Sequence, residues 1–183
     1  HSFGIDYGDT LYESCSIGAF NGVSPLQMSA AYGAYARGGY YISPYTYTKI
    51  IYRDTNDVYN KIIKKNKVCS EQTAKYINDI LMYAVNKGIV GTLDKDKTEV
   101  AGKTGTSTVS KEAIARMHLD DSAIMDSCAC LYSHEYSIAI WYGYDIISSK
   151  YYMIPIDGTL GRRRIAKKLS KILFQTNSKL VTS

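Results

Sequence analysis

The sequence predicts an α/β chain of the α+β type, an antiparallel sheet with helices packed on it. Three observations carry that prediction. Two stretches, 70–87 and 162–174, gather their apolar residues on one helical face. Three segments between and beside them, beginning with 99–107, have strand character and are joined by polar links. The chain also holds 18 tyrosines in 183 residues, a residue type that favours strands and half-wet surfaces.

A chain of 183 residues suffices for one domain, or a large piece of one, with a sizeable core. Its 45% hydrophobic and 21% charged content is ordinary for a soluble globular protein. The net charge of +5 is mild and dispersed; it suits a partner bearing carboxylates and does not by itself indicate nucleic acid. No apolar run approaches the ~20 residues of a membrane span, and His1 opens the chain without signal-peptide character. The expectation is a soluble piece, one that could have been excised from a longer chain.

The first 22 residues carry Gly4, Gly8, Gly18 and Gly22 among polar residues and read as a loop approach. Ser24-Pro25-Leu26-Gln27 starts a helix: serine caps, proline suits the first helical position, and glutamine completes an S-x-x-Q box. Leu26, Met28, Ala31, Tyr32, Tyr35 and Ala36 suggest close packing on several sides, and Gly38-Gly39 ends the helix. From 40 to 67 the period changes to alternation, with turn residues at 54–57 and a return over 58–63, which predicts a β-hairpin. Lys61, Lys64, Lys65 and Lys67 guard its edge against further pairing.

Ser70 caps a second helix through Lys87, with Gly88 just past it and an apolar face of Ala74, Ile77, Ile80, Leu81, Ala84 and Val85. Residues 88–97 form a loop into the 99–107 strand. Beyond it, 111–118 has the makings of a short helix. Residues 123–132 and 136–144 read as two strands joined by a tight turn at 133–135. A last helix over 162–174 presents Ile165, Ala166, Leu169, Ile172 and Leu173 to the core, leaving Arg162, Arg163, Arg164, Lys167 and Lys168 on a solvated face. Residues after Gln175 read as a frayed tail.

The chemistry concentrates in Glu-Val-Ala-Gly-Lys-Thr-Gly-Thr-Ser, 99–107. Glycines at 102 and 105 keep side chains off the backbone so that a ligand can approach. Lys103 supplies an ammonium, and Thr104, Thr106 and Ser107 supply hydroxyls. On an open strand edge these groups suit an anionic, carbonyl-bearing substrate. A phosphate loop, G-x-x-x-x-G-K-[ST], fails on spacing, because position 97 is Lys97 rather than glycine. A Lys-Thr-Gly box of serine acyl-transferases and a plain glycine-rich edge strand both remain. The cysteines, Cys15, Cys69, Cys128 and Cys130, match neither C-x-x-C metal spacing nor a dense disulfide framework. Cys128 and Cys130 share one strand face with His134 just beyond, which offers too few convergent ligands for a metal; buried small apolar residues are their expected use. No cofactor is expected.

The ordered series Ser16-Ile-Gly-Ala-Phe-Asn-Gly-Val-Ser-Pro-Leu-Gln-Met-Ser-Ala-Ala-Tyr32, Gly38-Gly39, Pro44-Tyr45, Thr48-Lys49-Ile50, Ser70-Glu71-Gln72-Thr73-Ala74, Gly91-Thr92, Ala101-Gly-Lys-Thr-Gly-Thr-Ser107 and Ala139-Ile-Trp-Tyr-Gly-Tyr-Asp145 resembles the C-terminal half of the transpeptidase domain of class A (bifunctional) penicillin-binding proteins. The likeness covers roughly residues 1–175, which would be the C-terminal part of that domain, incomplete on its N-terminal side, with 176–183 a tail. It implies a partial fold of the penicillin-binding-protein and serine β-lactamase type. It also implies an enzyme outside the cell membrane that joins peptidoglycan stem peptides through a serine acyl-enzyme and is trapped by β-lactams.

Carried onto this chain, the resemblance gives Lys103 a place in the proton network of the nucleophile and Thr104 and Thr106 the substrate carboxylate. It makes the Thr106 backbone N–H an oxyanion donor, and Gly105 leaves room for substrate along the strand beside Ser107. The family's other two boxes, S-x-x-K and S-x-N, occur nowhere in the 183 residues. The chain alone is therefore expected to be inactive and to need the upstream half of the domain as its partner. The link over 108–121 also reads as longer than the family's. Two other readings stand beside this one: a non-catalytic module binding peptide carboxylates, and a fragment of a serine β-lactamase-like hydrolase.

Overall fold

The computed structural model describes residues 2–6, 12–18, 22–86, 99–174 and 180. The expected loop over 88–97, with Gly91-Thr92, lies outside these residues. So do the expected helix end at Lys87 and Gly88 and all of the tail but Leu180.

Helix α1, Pro25–Ala36, begins as its sequence dictates. Ser24 is extended, its hydroxyl accepts from Gln27 N–H, and the Gln27 side chain accepts from Ser24 N–H. It ends on two left-handed glycines. Gly38 N–H reaches the Tyr35 carbonyl and Gly39 N–H reaches that of Ala34, at 3.2 and 2.9 Å, which closes the last turn. Ala31, Gly33, Ala34 and Ala36 are buried, as close packing of small residues requires, whereas Leu26 is exposed.

The region 40–67 pairs in two nested pieces rather than one long hairpin. β1 (Tyr40–Tyr41) pairs with β4 (Asn66–Lys67), and β2 (Lys49–Ile51) pairs with β3 (Val58–Asn60), all antiparallel. The pairing is short, and among the described residues no element covers it: Ile51, Tyr52, Val58 and Tyr59 are all exposed, so alternation had no buried face to hold it in register.

Helix α2, Glu71–Ala84, starts at the expected cap, Ser70, whose hydroxyl accepts from Thr73 N–H at 3.0 Å. Its buried stripe differs from the expected one. Ala74, Asn78 and Val85 are buried, while Ile80 is 61% exposed. Residues 74, 78, 81 and 85 fall on one helical line, and a polar side chain occupies it because Tyr132 needs a partner there. The Tyr132 hydroxyl donates to Asn78 Oδ1 at 2.8 Å, and Asn78 Nδ2 donates to the Tyr35 carbonyl.

Three strands form the central sheet in the order β5 (Ala101–Thr108), β6 (Ile124–Tyr132), β7 (Ser137–Gly143), antiparallel throughout. The three expected strands are present, with ends shifted by at most two residues from 99–107, 123–132 and 136–144, as are the turn after Tyr132 and the short helix α3 (Lys111–Met117). The register slips by one between Ser107 and Thr108, a bulge that ends the regular ladder just past the lysine-bearing segment.

Helix α4 spans Pro155–Leu173, starting seven residues before the expected Arg162, with Pro155 in its first turn. The two glycines that argue against helix there are the reason it fits. A Cβ on Gly158 would stand 2.6 Å from Ile124 Cδ1, and one on Gly161 would stand 2.4 Å from the Tyr142 ring. α4 therefore lies tightly on β6 and β7.

The sheet is covered on both faces. On one, Ala129, Leu131 and Ile140 pack with Ala166 and Phe174 of the α4 region, joined by Leu169, Leu173 and Val85 of α2. On the other, Tyr132 and Ala101 pack with Ala36, Tyr32 and Tyr35 of α1. Leu180 completes that second cluster, and its N–H donates to Glu99 at 3.0 Å, so the expectation of a frayed end does not hold at this residue. Of the expected inner face of α4, Ile172 is 66% exposed and Ile165 lies at the rim.

Candidate functional site along the edge strand

β5 is the outer strand of the sheet: β6 pairs one side, and among the described residues no strand pairs the other. An edge strand leaves one row of its backbone groups without a ladder partner, as a ligand-binding strand must.

Alternation along β5 divides the expected site residues between two faces. Lys103, Gly105 and Ser107 stand opposite Cys130, Cys128 and Asp126 of β6; Thr104 and Thr106 stand opposite Ala129 and Ser127. Lys103 is exposed, and its Nζ donates to the Thr104 carbonyl at 2.8 Å. Thr104 is half-buried, and Thr106 is exposed.

The two glycines serve different ends. Gly102 is buried, and a Cβ there would meet Leu131 Cδ2 and the Cys130 carbonyl at 2.6 Å. It is required by core packing, which corrects the expectation that it admits a ligand. At Gly105 an added Cβ would find only Cys128 Cβ, at 4.0 Å, so this glycine fronts open space.

Ser107 is held firmly. Its hydroxyl donates to Asp126 Oδ2, whose other oxygen accepts from Trp141 Nε1 at 2.7 Å. The Asp126 carboxylate thus ties all three strands together where the bulge begins, and it occupies the only proton of the Ser107 hydroxyl.

Arg162 is the residue that sequence reasoning misplaced. Assigned to a solvated face of the last helix, it is half-buried and reaches back over the sheet. Its Nη1 donates to Thr106 Oγ1 at 2.7 Å, to the Gly105 carbonyl at 3.0 Å and to Ser127 Oγ at 3.1 Å, three acceptors that share its two protons. Burial lowers its pKa somewhat, opposed by the nearby Cys128. The available signal was Pro155: a helix begun there puts 158, 162, 166, 169 and 173 on one line, and Arg162 falls within the face that Ala166 and Leu169 bury.

The thiols opposite Lys103 and Gly105 on β6 are quiet. Burial, with Cys128 adding to it, pushes Cys130 up to about 12. Cys128 is raised by burial and by Asp126, with Arg162 opposing. Both stay protonated near neutrality, as residues used for packing do. Among the described residues no group of three or more His, Cys, Asp or Glu side chains converges as a metal site would require.

β5 thus carries a row of groups, an ammonium on one face and two hydroxyls on the other with the Arg162 guanidinium against one of them, beside an edge that no strand pairs among the described residues. Such a row accepts a carboxylate and stabilises a developing negative oxygen.

Residues 7–123 match the profile of the penicillin-binding protein transpeptidase domain. Among curated proteins, the chain is 33% identical over 138 residues to penicillin-binding protein 1A/1B of Bacillus subtilis (strain 168), covering 74% of this chain and 15% of that protein. It is 29% identical over 152 residues to penicillin-binding protein 1F of the same organism, covering 82% and 20%. It thus spans a fifth or less of the length of these relatives. Among solved structures, the ceftriaxone acyl-enzyme complex of penicillin-binding protein A from Mycobacterium tuberculosis superposes with a TM-score of 0.58 at 15% identity, covering 82% of this chain and 32% of that one. The D,D-transpeptidase domain of a peptidoglycan glycosyltransferase from Eggerthella lenta gives 0.56 at 20% identity, covering 82% and 32%. Those two likenesses establish a shared fold.

Proposed function

The chain belongs to the penicillin-binding protein transpeptidase family, and from that membership we propose that it forms the K-T-G side of a peptidoglycan D,D-transpeptidase site. The observation that carries the reading is the Ala101–Thr108 strand, an unpaired edge presenting Lys103, Thr104 and Thr106 beside an open Gly105.

In this reading a serine attacks the carbonyl of the penultimate D-alanine of a stem peptide. The terminal D-alanine leaves as the acyl-enzyme forms, and an amine from a neighbouring strand then takes the acyl group and frees the serine. Lys103 brings positive charge to the proton network of that serine. Thr104 and Thr106 donate to the terminal carboxylate of the substrate. The Thr106 N–H supplies one oxyanion donor, a group typically worth ~3 kcal/mol of transition-state stabilisation. β-Lactams would enter as mimics of the same peptide end.

No serine among the 183 residues stands three before a lysine, and none stands two before an asparagine. The nucleophile is accordingly proposed to lie in the part of the domain outside these 183 residues, at the extracytoplasmic face of the bacterial membrane. Among the described residues no helix is long and apolar enough to cross a membrane.

The test is a denaturing gel after incubation with a fluorescent penicillin. The 183-residue chain alone is expected to give no covalent band. Mixed with a separately expressed polypeptide carrying the S-x-x-K and S-x-N boxes, it is expected to restore labelling of that partner, and Lys103→Ala is expected to abolish the restoration. The absence of both boxes also suits a second reading, a non-catalytic module that binds peptide carboxylates. Binding of a D-alanyl-D-alanine peptide with no restored labelling would favour that module.

A further inference from the structure

The contacts between α4 and the edge strand run in one direction. The Ser127 hydroxyl is buried and spends its single proton on the Gly158 carbonyl, at 2.8 Å in the first turns of α4. Its lone pairs are left to accept, and Arg162 Nη1 donates to them. The same nitrogen donates to Thr106 Oγ1 and to the Gly105 carbonyl. A guanidinium has no acceptor site, so the Thr106 oxygen must receive here, and its own proton is left for some other acceptor. All three oxygens are neutral, so the guanidinium brings its full charge to the strand.

The Gly105 carbonyl shares a peptide unit with the Thr106 N–H. That unit is trans, so the N–H points away from the side on which the carbonyl is held. A charged donor on the carbonyl strengthens the opposite N–H as a donor, because hydrogen bonds through one amide polarise each other. One side chain from a different element thereby engages the Thr106 hydroxyl directly and the Thr106 N–H through its peptide unit.

We propose that Arg162 is a positioning residue of the site: from α4 it aims the Gly105–Thr106 peptide and reserves the Thr106 hydroxyl as a donor, so that substrate meets two pre-oriented groups. The proposal rests on the transpeptidase reading and adds to it a residue outside the Lys-Thr-Gly box. Gly158 and Gly161 belong to the same device, because their missing side chains let α4 come close enough for Arg162 to reach.

The experiment uses the full 183-residue chain with Arg162→Met, which keeps the stem and removes the donors, and Arg162→Lys, which keeps the charge and loses the fork. Amide NMR of the chain alone is expected to show the Thr106 N–H shifted and exchanging faster in Arg162→Met, with the melting temperature unchanged within about 2 °C. Fluorescent-penicillin labelling of the reconstituted pair is expected to show the acylation step slowed roughly ten- to a hundredfold in Arg162→Met. The dissociation constant of the pre-covalent complex should move less, about threefold, and Arg162→Lys should recover only part of the rate. A purely structural role would alter folding without dividing binding from acylation in this way. Acylation by the Arg162→Met pair at the unsubstituted rate overturns this proposal alone, whatever the amide does. An unsubstituted pair that takes up no penicillin overturns the transpeptidase reading and this proposal together.

Discussion

Cys130 and Cys128 lie two apart on β6, directly across from Lys103 and Gly105, and both thiols are raised chiefly by burial. For Cys130 the folded value of about 12 stands above the ordinary 9.0. Below the ordinary value both the folded and unfolded states hold the proton, and the thiol adds no pH dependence. Above it the unfolded chain sheds a proton that the native state retains, so stability falls as pH rises, by at most ~1.4 kcal/mol per pH unit for one group. Tyr32, raised by burial to about 12, adds to the same decline. Urea unfolding of Cys130→Ala against the unsubstituted chain, from about pH 8 to about pH 11, is expected to show a shallower alkaline loss in the variant. Parallel curves would show that this thiol is not shielded. Asn78 belongs to the same scale: a helix periodicity sees a polar residue to be turned outward, and only the neighbouring Tyr132 hydroxyl explains why it is turned in.

Among the elements, α4 departs furthest from its sequence pattern. Gly158 and Gly161 look like interruptions, and each lowers helix propensity by roughly 1 kcal/mol relative to alanine. Their worth lies in contact with the sheet. Gly158→Ala drives a methyl to within 2.9 Å of Ser127 Cβ and 2.6 Å of Ile124 Cδ1, both buried. The propensity gain is smaller than a typical overpacking cost of about 1–3 kcal/mol, so this variant is expected to be destabilised. Gly161→Ala meets Tyr142, which is 39% exposed and can swing away. Thermal unfolding of the two variants should therefore rank Gly158→Ala well below Gly161→Ala; the reverse order would mean that α4 does not rest on β6 as described. By contrast α1 was legible at both ends, because Ser24, Gln27, Gly38 and Gly39 act on backbone groups within a few residues of themselves.

Across the whole molecule, stability is unevenly placed. The β5–β6–β7 sheet is covered on both faces, whereas Ile51, Tyr52, Val58 and Tyr59 of the β2–β3 hairpin lie open and the lysines at 64, 65 and 67 surround them with charge. Amide exchange of the full chain is expected to be at least tenfold slower through 126–132 than through 49–60, since opening the hairpin exposes almost no further apolar surface. Equal protection would mean that something covers the hairpin. The edge of β5 stays outside this protected core on one side, which is where the proposed partner half would complete the site.

The sequence by itself determined whatever depends on near neighbours: the N-terminal caps of α1 and α2, the two glycine stops after α1, the three antiparallel strands and their turn, and the ordered series of segments through which the family is recognisable. It also carried the order of those pieces, because each is specified within about a dozen residues. Tertiary structure alone decided the contacts between distant segments. Arg162 meets Thr106 across 56 positions of chain, and Asn78 meets Tyr132 across 54. No periodicity records such a pairing, because a helix line reports which side faces inward and not which polar atom waits there to be satisfied.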